Sequence, residues 1–484
     1  MSVNKVILND EVLIDLTEDT VTEEDVTKGK TFHKADGSQA VGLGNTIVAK
    51  DTNFYDYDGT LLYSYDAEEA LKLSALPELP TQPGLICQGW NHDLETIKAY
   101  RGYANVGAIY ITDDGKTRLY VDFESMDRFY VRLALNIKTG KVSGGHVNID
   151  WGDGSPVEQL SGNSTTSFLL ARAEHNYPGE GKYVISIEGT DDVEIKLGAS
   201  SSTCLFGTLN DAASLDVFGR NSLEKVEIGN NIVELSICTF YLCYNLKTVT
   251  MPAGITEIPE NAFYGCRALK ALMLPDSVVS IVTGAFRDCA AMSCISFSDN
   301  CTSFGNVAFM DSKIDYMVIP RYAGKNSVGG TIGNKNLRKV VIQDNVSLNV
   351  FSSMFGSCLL LASCRIYSTD APLPTSMFNG DGMLDDVLLP DGLPSIMSLA
   401  FNTCRKLTHL VIPKTVTTIE ASAFNNCSAM KYYDFSNHES VPTLTGNAFG
   451  GIRSDCEIRV PTALYEEWIA ATNWSTYADN IVAV

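Results

Sequence analysis

The residues able to do chemistry are few, and their spacing suits little of it. Six histidines stand at His33, His92, His146, His175, His409 and His438. Only two fall in the C-terminal half, and neither has a partner at ligand spacing. His175 and Asp153 are the one pair that acid–base catalysis would use. The acidic turn Tyr55-Asp56-Tyr57-Asp58-Gly59-Thr60 has the look of a metal loop, but the distal Glu of a twelve-residue calcium hand is missing. Asp385-Asp386 is a paired acid expected where the chain turns toward solvent. The thirteen cysteines include no CxxC pair, so the zinc signature is absent. No GxSxG elbow, HExxH helix, Walker loop or dinucleotide-binding glycine pattern occurs. No catalytic, cofactor-binding or metal-ligating residue is therefore assigned, and no cofactor is expected.

Composition narrows the partners. The net charge is −22 over 484 residues, and the first eighty residues alone carry −10. Nucleic acid and anionic membranes need basic patches, so both are excluded as partners. A hydrophobic fraction of 45% with 19% charged residues describes a folded, multidomain chain. No run of about 18 apolar residues suggests a membrane helix. The start, MSVNKVILND, reads without a secretory signal.

What must position any functional residue is a periodic C-terminal half. Phenylalanines stand at Phe240, Phe263, Phe286, Phe309, Phe355, Phe378, Phe401 and Phe424, in steps of 23 with one double step. Ile332 holds the missing place. A fixed period of this length marks a solenoid with one coil per repeat. Around each Phe the text recurs, as in Ala262-Phe263-Tyr264-Gly265-Cys266 and Ala400-Phe401-Asn402-Thr403-Cys404. Six residues on comes an apolar residue (Leu246, Leu269, Met292, Leu361, Leu384, Leu407, Met430). A short alternating strand ending in Pro follows, such as Leu410-Val411-Ile412-Pro413. Cys243, Cys266, Cys289, Cys358, Cys404 and Cys427 share one repeat position. They predict a ladder of buried free thiols filling an inner corner.

This pattern resembles the BspA-like leucine-rich repeats of bacterial surface proteins, which read roughly L-x-x-V-x-[IL]-P-x-x-[IV]-x-x-I-x-x-x-A-F-x-x-C. The likeness spans about residues 205–455. Two coils depart from it. Arg321 to Lys335 is Gly-rich without Ala-Phe, and Cys364 to Pro374 lacks the strand-ending Pro. Both are places for a loop, and so for a contact.

The front half carries two further resemblances. Leu13-Ile14-Asp15-Leu16-Thr17-Glu18-Asp19-Thr20-Val21-Thr22, with Lys28 to Gly37, is similar to an N-terminal segment of virion proteins of phages and prophages of Gram-positive bacteria. Asn53 to Thr60 and Gly84 to Asn91 are similar to a linker module of the same proteins. The residues themselves give Asp66 and Glu69 as a capping box, and Pro77, Pro80 and Pro83 as a stiff connector. Next, alternating strands at Thr117–Asp122 and Phe129–Leu135 read as an immunoglobulin-like sandwich. Trp151-Gly152-Asp153-Gly154-Ser155, His175-Asn176-Tyr177 and Lys182-Tyr183-Val184 resemble the polycystic-kidney-disease-type (PKD) domain. That resemblance makes Trp151 core, has Asp153 tie a turn, and gives His175 a packing role.

The expected fold is mainly β and multidomain: a small N-terminal β-rich module, a PKD-like sandwich, and a leucine-rich-repeat solenoid with a helical cap. Its expected divisions are a docking module 1–50, a linker module 51–100, the sandwich 101–198, the solenoid 199–455 and the cap 456–484. The resemblances imply a non-enzymatic component of a phage or phage-like particle, assembled in the host cytoplasm. Residues 1–100 would meet other virion proteins, and the solenoid would meet a host-surface protein or glycan. Membrane insertion is not expected, and a homo-oligomer is compatible with the sequence. The alternative is a BspA-like cell-surface adhesin; a polysaccharide-degrading tail enzyme is a third class, with no sugar release expected. Exposed aromatics are the contact candidates: Tyr241, Tyr244, Tyr264, Tyr316, Tyr322, Tyr432 and Tyr433, because Tyr presents a large area at low entropy cost.

Overall fold

The fold is described from a computed structural model. It describes residues 47–484 except 125, 127, 140–144, 163, 191, 200–202, 208–215, 325–332, 351, 357 and 370; of residues 1–46 it describes only the backbone of four strands. These pair as two antiparallel hairpins, β1 (Lys5–Leu8) with β2 (Glu11–Asp15), and β3 (Thr31–His33) with β4 (Gln39–Val41). Ile332, which the period puts in the place of a phenylalanine, lies outside the described residues.

Residues 51–112 form a small mixed module. Strands β5 (Thr52–Tyr55), β6 (Leu61–Tyr65), β7 (Leu85–Trp90) and β8 (Ala104–Thr112) lie in the order β6-β5-β8-β7. Helix α1 (Ala67–Leu71) starts with the capping box read from the sequence: Asp66 accepts from Glu69 N–H, and Glu69 accepts from Asp66 N–H at 3.0 Å. Helix α2 (Leu94–Ala99) is capped by Asp93.

A two-sheet sandwich follows. It is built from β9 (Thr117–Asp122), β10 (Tyr130–Lys138), β11 (His146–Asp150), β12 (Glu158–Ser161), β13 (Leu169–Asn176), β14 (Lys182–Gly189) and β15 (Glu194–Leu197). Trp151 is buried and stacks on the His175 ring at 4.8 Å. His175 Nε2 meets Asp153 Oδ2 at 2.8 Å, and Asp153 accepts from Ser155 N–H. Ser155 and then His175 hold the Asp153 carboxyl down at about 2. The pair thus pins a turn beside a core tryptophan.

The sandwich does not end before the solenoid begins. One sheet runs β13-β10-β15 and then takes in β17 (Ile232–Leu235). The other runs β12-β11-β14-β9, then β16 (Leu223–Glu227) and β18 (Thr248–Thr250). A single apolar core passes without a break from Leu119 and Trp151 through the coils to Ile481.

The coils stack as the period requires. Consecutive phenylalanine rings lie 5.1 Å (Phe240–Phe263), 5.4 Å (Phe263–Phe286) and 5.5 Å (Phe286–Phe309) apart. After the gap they resume at 5.7, 5.3 and 5.3 Å up to Phe424, and Phe449 extends the column by another 5.3 Å. The repeated cysteines have a reason beyond size. The Sγ–H of Cys266, Cys289, Cys404 and Cys427 donates at 3.1–3.3 Å to the carbonyl of the Phe one coil earlier. Each thiol ties two coils together inside the core, and none of the thirteen cysteines is in a disulfide.

While the Phe column keeps its step, the strands slip. Inward residues advance 22 positions from Ile295 to Met317, 23 to Val340 and 24 to Cys364. At the far end Trp468 and Trp474 close the core, with Trp474 Nε1–H donating to Pro442 O at 2.7 Å. The strand Glu457–Val460 is not the last of the chain. Ile481–Ala483 adds one more, parallel to Glu457–Val460. Among the described residues no helix is long and apolar enough to cross a membrane.

Candidate binding face

In each main strand of a coil one parity points into the core and the other outward. Met317, Val340, Cys364, Leu410, Tyr433 and Ile458 point in. Val318, Val341, Arg365, Leu388, Val411, Asp434 and Arg459 form an outward column. Tyr316, Lys339, Ser363, Asp386, His409, Tyr432 and Glu457 form a second column two residues earlier in each strand.

The 51–112 module sits on the first part of this face. Val318 and Val341 point outward yet are 5% and 0% exposed, because Phe54, Tyr100 and Val106 pack over them. The contact is also hydrogen-bonded. Tyr316 OH donates to Asp51 O at 2.8 Å, and Lys339 pairs with the Asp51 carboxylate. Gln343 Nε2–H donates to the carbonyls of Tyr100 and Tyr103, each at 3.2 Å. Asn91 Nδ2–H donates to Leu274 O (3.0 Å) and Ser296 Oγ (2.8 Å), while Asn91 Oδ1 accepts from Gly107 N–H. Gly107 is required here, since a Cβ would meet Met273 Sδ at 2.5 Å.

Beyond the module the same face is open. Leu388 and Val411 continue the column of Val318 and Val341, but are 39% and 52% exposed. Arg365 reaches Asp386 at 3.2 Å. Arg459 lies 3.8 Å over the Tyr432 ring and pairs with Glu457. Where the module stops, Arg101 leans out with its guanidinium 4.3 Å over Tyr367. Between this wall and the open strands lies a cleft of about 500 Å³, floored by Leu388, Pro390, His409 and Val411. Apolar patches flanked by charge suit the docking of another molecule, and among the described residues no nucleophile–base pair lines the cleft.

The coils have a recognisable pedigree. The model of the BspA type leucine-rich repeat region matches in six copies, over residues 214–327, 332–431 and 371–466, just over half of the chain. The chain belongs to the BspA-type leucine-rich repeat family. No part of the match falls before residue 214. Solved leucine-rich repeat structures are similar at low identity. A leucine-rich repeat protein from Bacteroides ovatus is 20% identical, with a TM-score of 0.43. That alignment covers 54% of this chain and 66% of that one, just under two thirds of its length. A leucine-rich cell surface protein from Faecalibacterium prausnitzii is 21% identical (TM-score 0.22, covering 43% and 78%). The leucine-rich repeat protein of T. pallidum is 21% identical (TM-score 0.26, covering 42% and 72%). No curated protein sequence matches the chain.

The tyrosines singled out from the sequence scatter over these BspA-type coils. Tyr241 and Tyr264 follow the column Phe and stack on each other at 4.8 Å along one edge. Beside them Tyr244 lies under Arg267, which pairs with Asp288. Tyr322 sits in the turn after Tyr316–Ile319, with Arg321 over its ring at 5.5 Å. Tyr316 is half-buried under the module. Tyr432 is half-buried on the open face, away from the edge group. Tyr433 is a correction: it is 1% exposed and packs on Phe424 and Phe449, because strand alternation turns Tyr433 inward where it turns Tyr432 outward. Asp386 is likewise not in a turn; it opens the strand Asp386–Leu388. Among the described residues no group of three or more His, Cys, Asp or Glu has metal-binding geometry, and Asp56 of the acidic turn accepts from Gln82 Nε2 at 2.6 Å. The residues that sequence reasoning missed are Arg101, Leu388 and Val411. For the last two the signal was present as apolar residues at outward parity.

Proposed function

We propose that this chain is an adhesin-type binding protein, not an enzyme, whose open C-terminal strand face takes a surface protein or glycan. The observation that carries the reading is the half-covered face. One column holds four aliphatic residues, two buried by the chain's own module and two left bare. Membership of the BspA-type repeats supports a contact role, since a regular outer face serves large partners.

Two settings fit this role. In one, residues 1–100 hold the chain on a phage or phage-like particle assembled in the host cytoplasm, with the PKD-type sandwich as spacer; the motivation is the likeness of residues 13–37 to virion proteins. In the other, which the family membership favours, the chain is a cell-surface adhesin. Labelled protein incubated with a panel of bacterial and epithelial cells should adhere to some of them. The double variant Leu388→Asp, Val411→Asp should lose most of that signal; equal adhesion by the variant would sink the assignment of the face. Recovery of the chain in purified particles, as against the cell-surface fraction, separates the two settings.

A further inference from the structure

One coil sets a carboxylic acid in the thiol ladder. Asp381 occupies the position that Cys266, Cys289, Cys404 and Cys427 occupy, three residues after the column phenylalanine. Its backbone repeats theirs. Asp381 N–H donates to Phe378 O and Leu384 N–H donates to Asp381 O, as Cys404 N–H does to Phe401 O and Leu407 N–H to Cys404 O. The ladder rule is a side-chain donor meeting the carbonyl 26 residues earlier. For Asp381 that carbonyl is Phe355 O. A carboxylate cannot donate, and here it would have no partner: Asp381 is 0% exposed, and neither of its side-chain oxygens has a hydrogen bond. Burying an unpaired charge is far costlier than burying a neutral acid that donates.

We propose that Asp381 is held as the neutral carboxylic acid and donates its proton to Phe355 O, taking over the thiol's part in the ladder, so that coils 355–404 are clipped by a bond that alkali removes. The titratable groups facing it are Cys358, Cys364 and Cys404, all buried thiols, and among the described residues no cation offsets it. Burial pushes the carboxyl up to about 8. The sign follows. The unfolded carboxyl gives up its proton near pH 4 and the folded one near 8, so stability is lost as pH rises between them. The same coil runs on through Leu384 into Asp386–Leu388, so the clip lies directly beneath the open face. The inference does not depend on the binding role.

Urea unfolding of the full chain from pH 5 to 9.5 tests it, with Asp381→Cys and Asp381→Asn beside the natural protein. Both variants supply a donor that does not need an acid. Relative to Asp381→Cys, the natural chain should lose up to about tenfold in its folded-to-unfolded ratio per pH unit, levelling off near pH 8. Asp381→Asn should run parallel to Asp381→Cys up to about pH 8, above which the unfolded thiol of the Cys variant begins to titrate and Asp381→Asn alone is the flat reference. Should the natural chain also run parallel to both, the neutral acid is ruled out. Infrared difference spectra at pH 6.5 give a second readout: a protonated-carboxyl band present in the natural chain and missing from Asp381→Asn. Absence of that band from the natural chain would overturn the proposal independently of stability.

Discussion

Val341 and Leu388 stand in one outward column and should respond in opposite ways to the same substitution. Val341 is fully buried between the solenoid and the 51–112 module, whereas Leu388 is 39% exposed. In Val341→Asp the contact loses the burial of one valine, worth about 1.5–3 kcal/mol. It also gains an unpaired carboxylate in a closed interface, costing several kcal/mol more. The nearby Lys339 gives no relief, because it already pairs with Asp51. The total, on the order of 5 kcal/mol, is comparable to what the hydrogen bonds of the contact supply at about 1 kcal/mol each. The module should therefore loosen from the coils while the coils stay folded. Hydrogen exchange reads this directly: amides of β8, whose far face lies on the coils, should lose protection, and protease should cut near Lys116. Leu388→Asp should shift stability by no more than about 0.5 kcal/mol, as surface changes do. If β8 exchange is unchanged in Val341→Asp, or Leu388→Asp destabilises as strongly, the docked-module description is wrong.

Four further outcomes are expected. Phe401→Ala, which removes a ring stacked on both sides at 5.3 Å, should cost about 3–5 kcal/mol in urea unfolding. His92 belongs to the module and is buried where it meets the coils, and burial lowers it to about 4. An unfolded histidine takes its proton near pH 6.5, so acidification from 6.5 to 4 should weaken the folded state by up to about 3 kcal/mol; a His92→Gln variant should lack that acid limb in a pH series. Native alkylation followed by mass spectrometry should label Cys87, the one cysteine outside the buried class, and spare the ladder, where burial raises thiols such as Cys427 to about 12. Tyr433→Ala should destabilise by about 3–5 kcal/mol, and Tyr432→Ala by much less, when thermal unfolding is compared.

The parts of this architecture that could be read in the sequence are those fixed by local periodicity. Each coil repeats its neighbour, so the spacing from Phe263 to Phe286 already states a contact; strand parity also separates Tyr432 from Tyr433, although both are expected from the sequence as exposed aromatics. The capping box at Asp66 and the turn at Asp153 were legible because both partners lie within three residues. What sequence pattern could not give is contact between unlike segments. Tyr316 meets Asp51 across 265 residues and Gln343 meets Tyr100 across 243, and neither pair leaves a periodic trace. Nor does the period say which stretch of the outward face is covered. Leu388 and Val341 look alike in sequence; only the docked module makes one core and the other surface. The one-residue strand slip between Ile295 and Met317 was hidden for a related reason. The Phe column, which carried the reading, does not slip.

The seam between sandwich and coils has a mechanical consequence. Strand β15 pairs in parallel with β17 and β9 pairs with β16, so the two halves share sheets and no swivel separates them. A tug on the far coils would be felt at the front of the sandwich with little lost to bending. Along the seam the ladder hydrogen bonds resist together instead of opening one after another. A load applied at one end is thereby transmitted, stiffly, to the other.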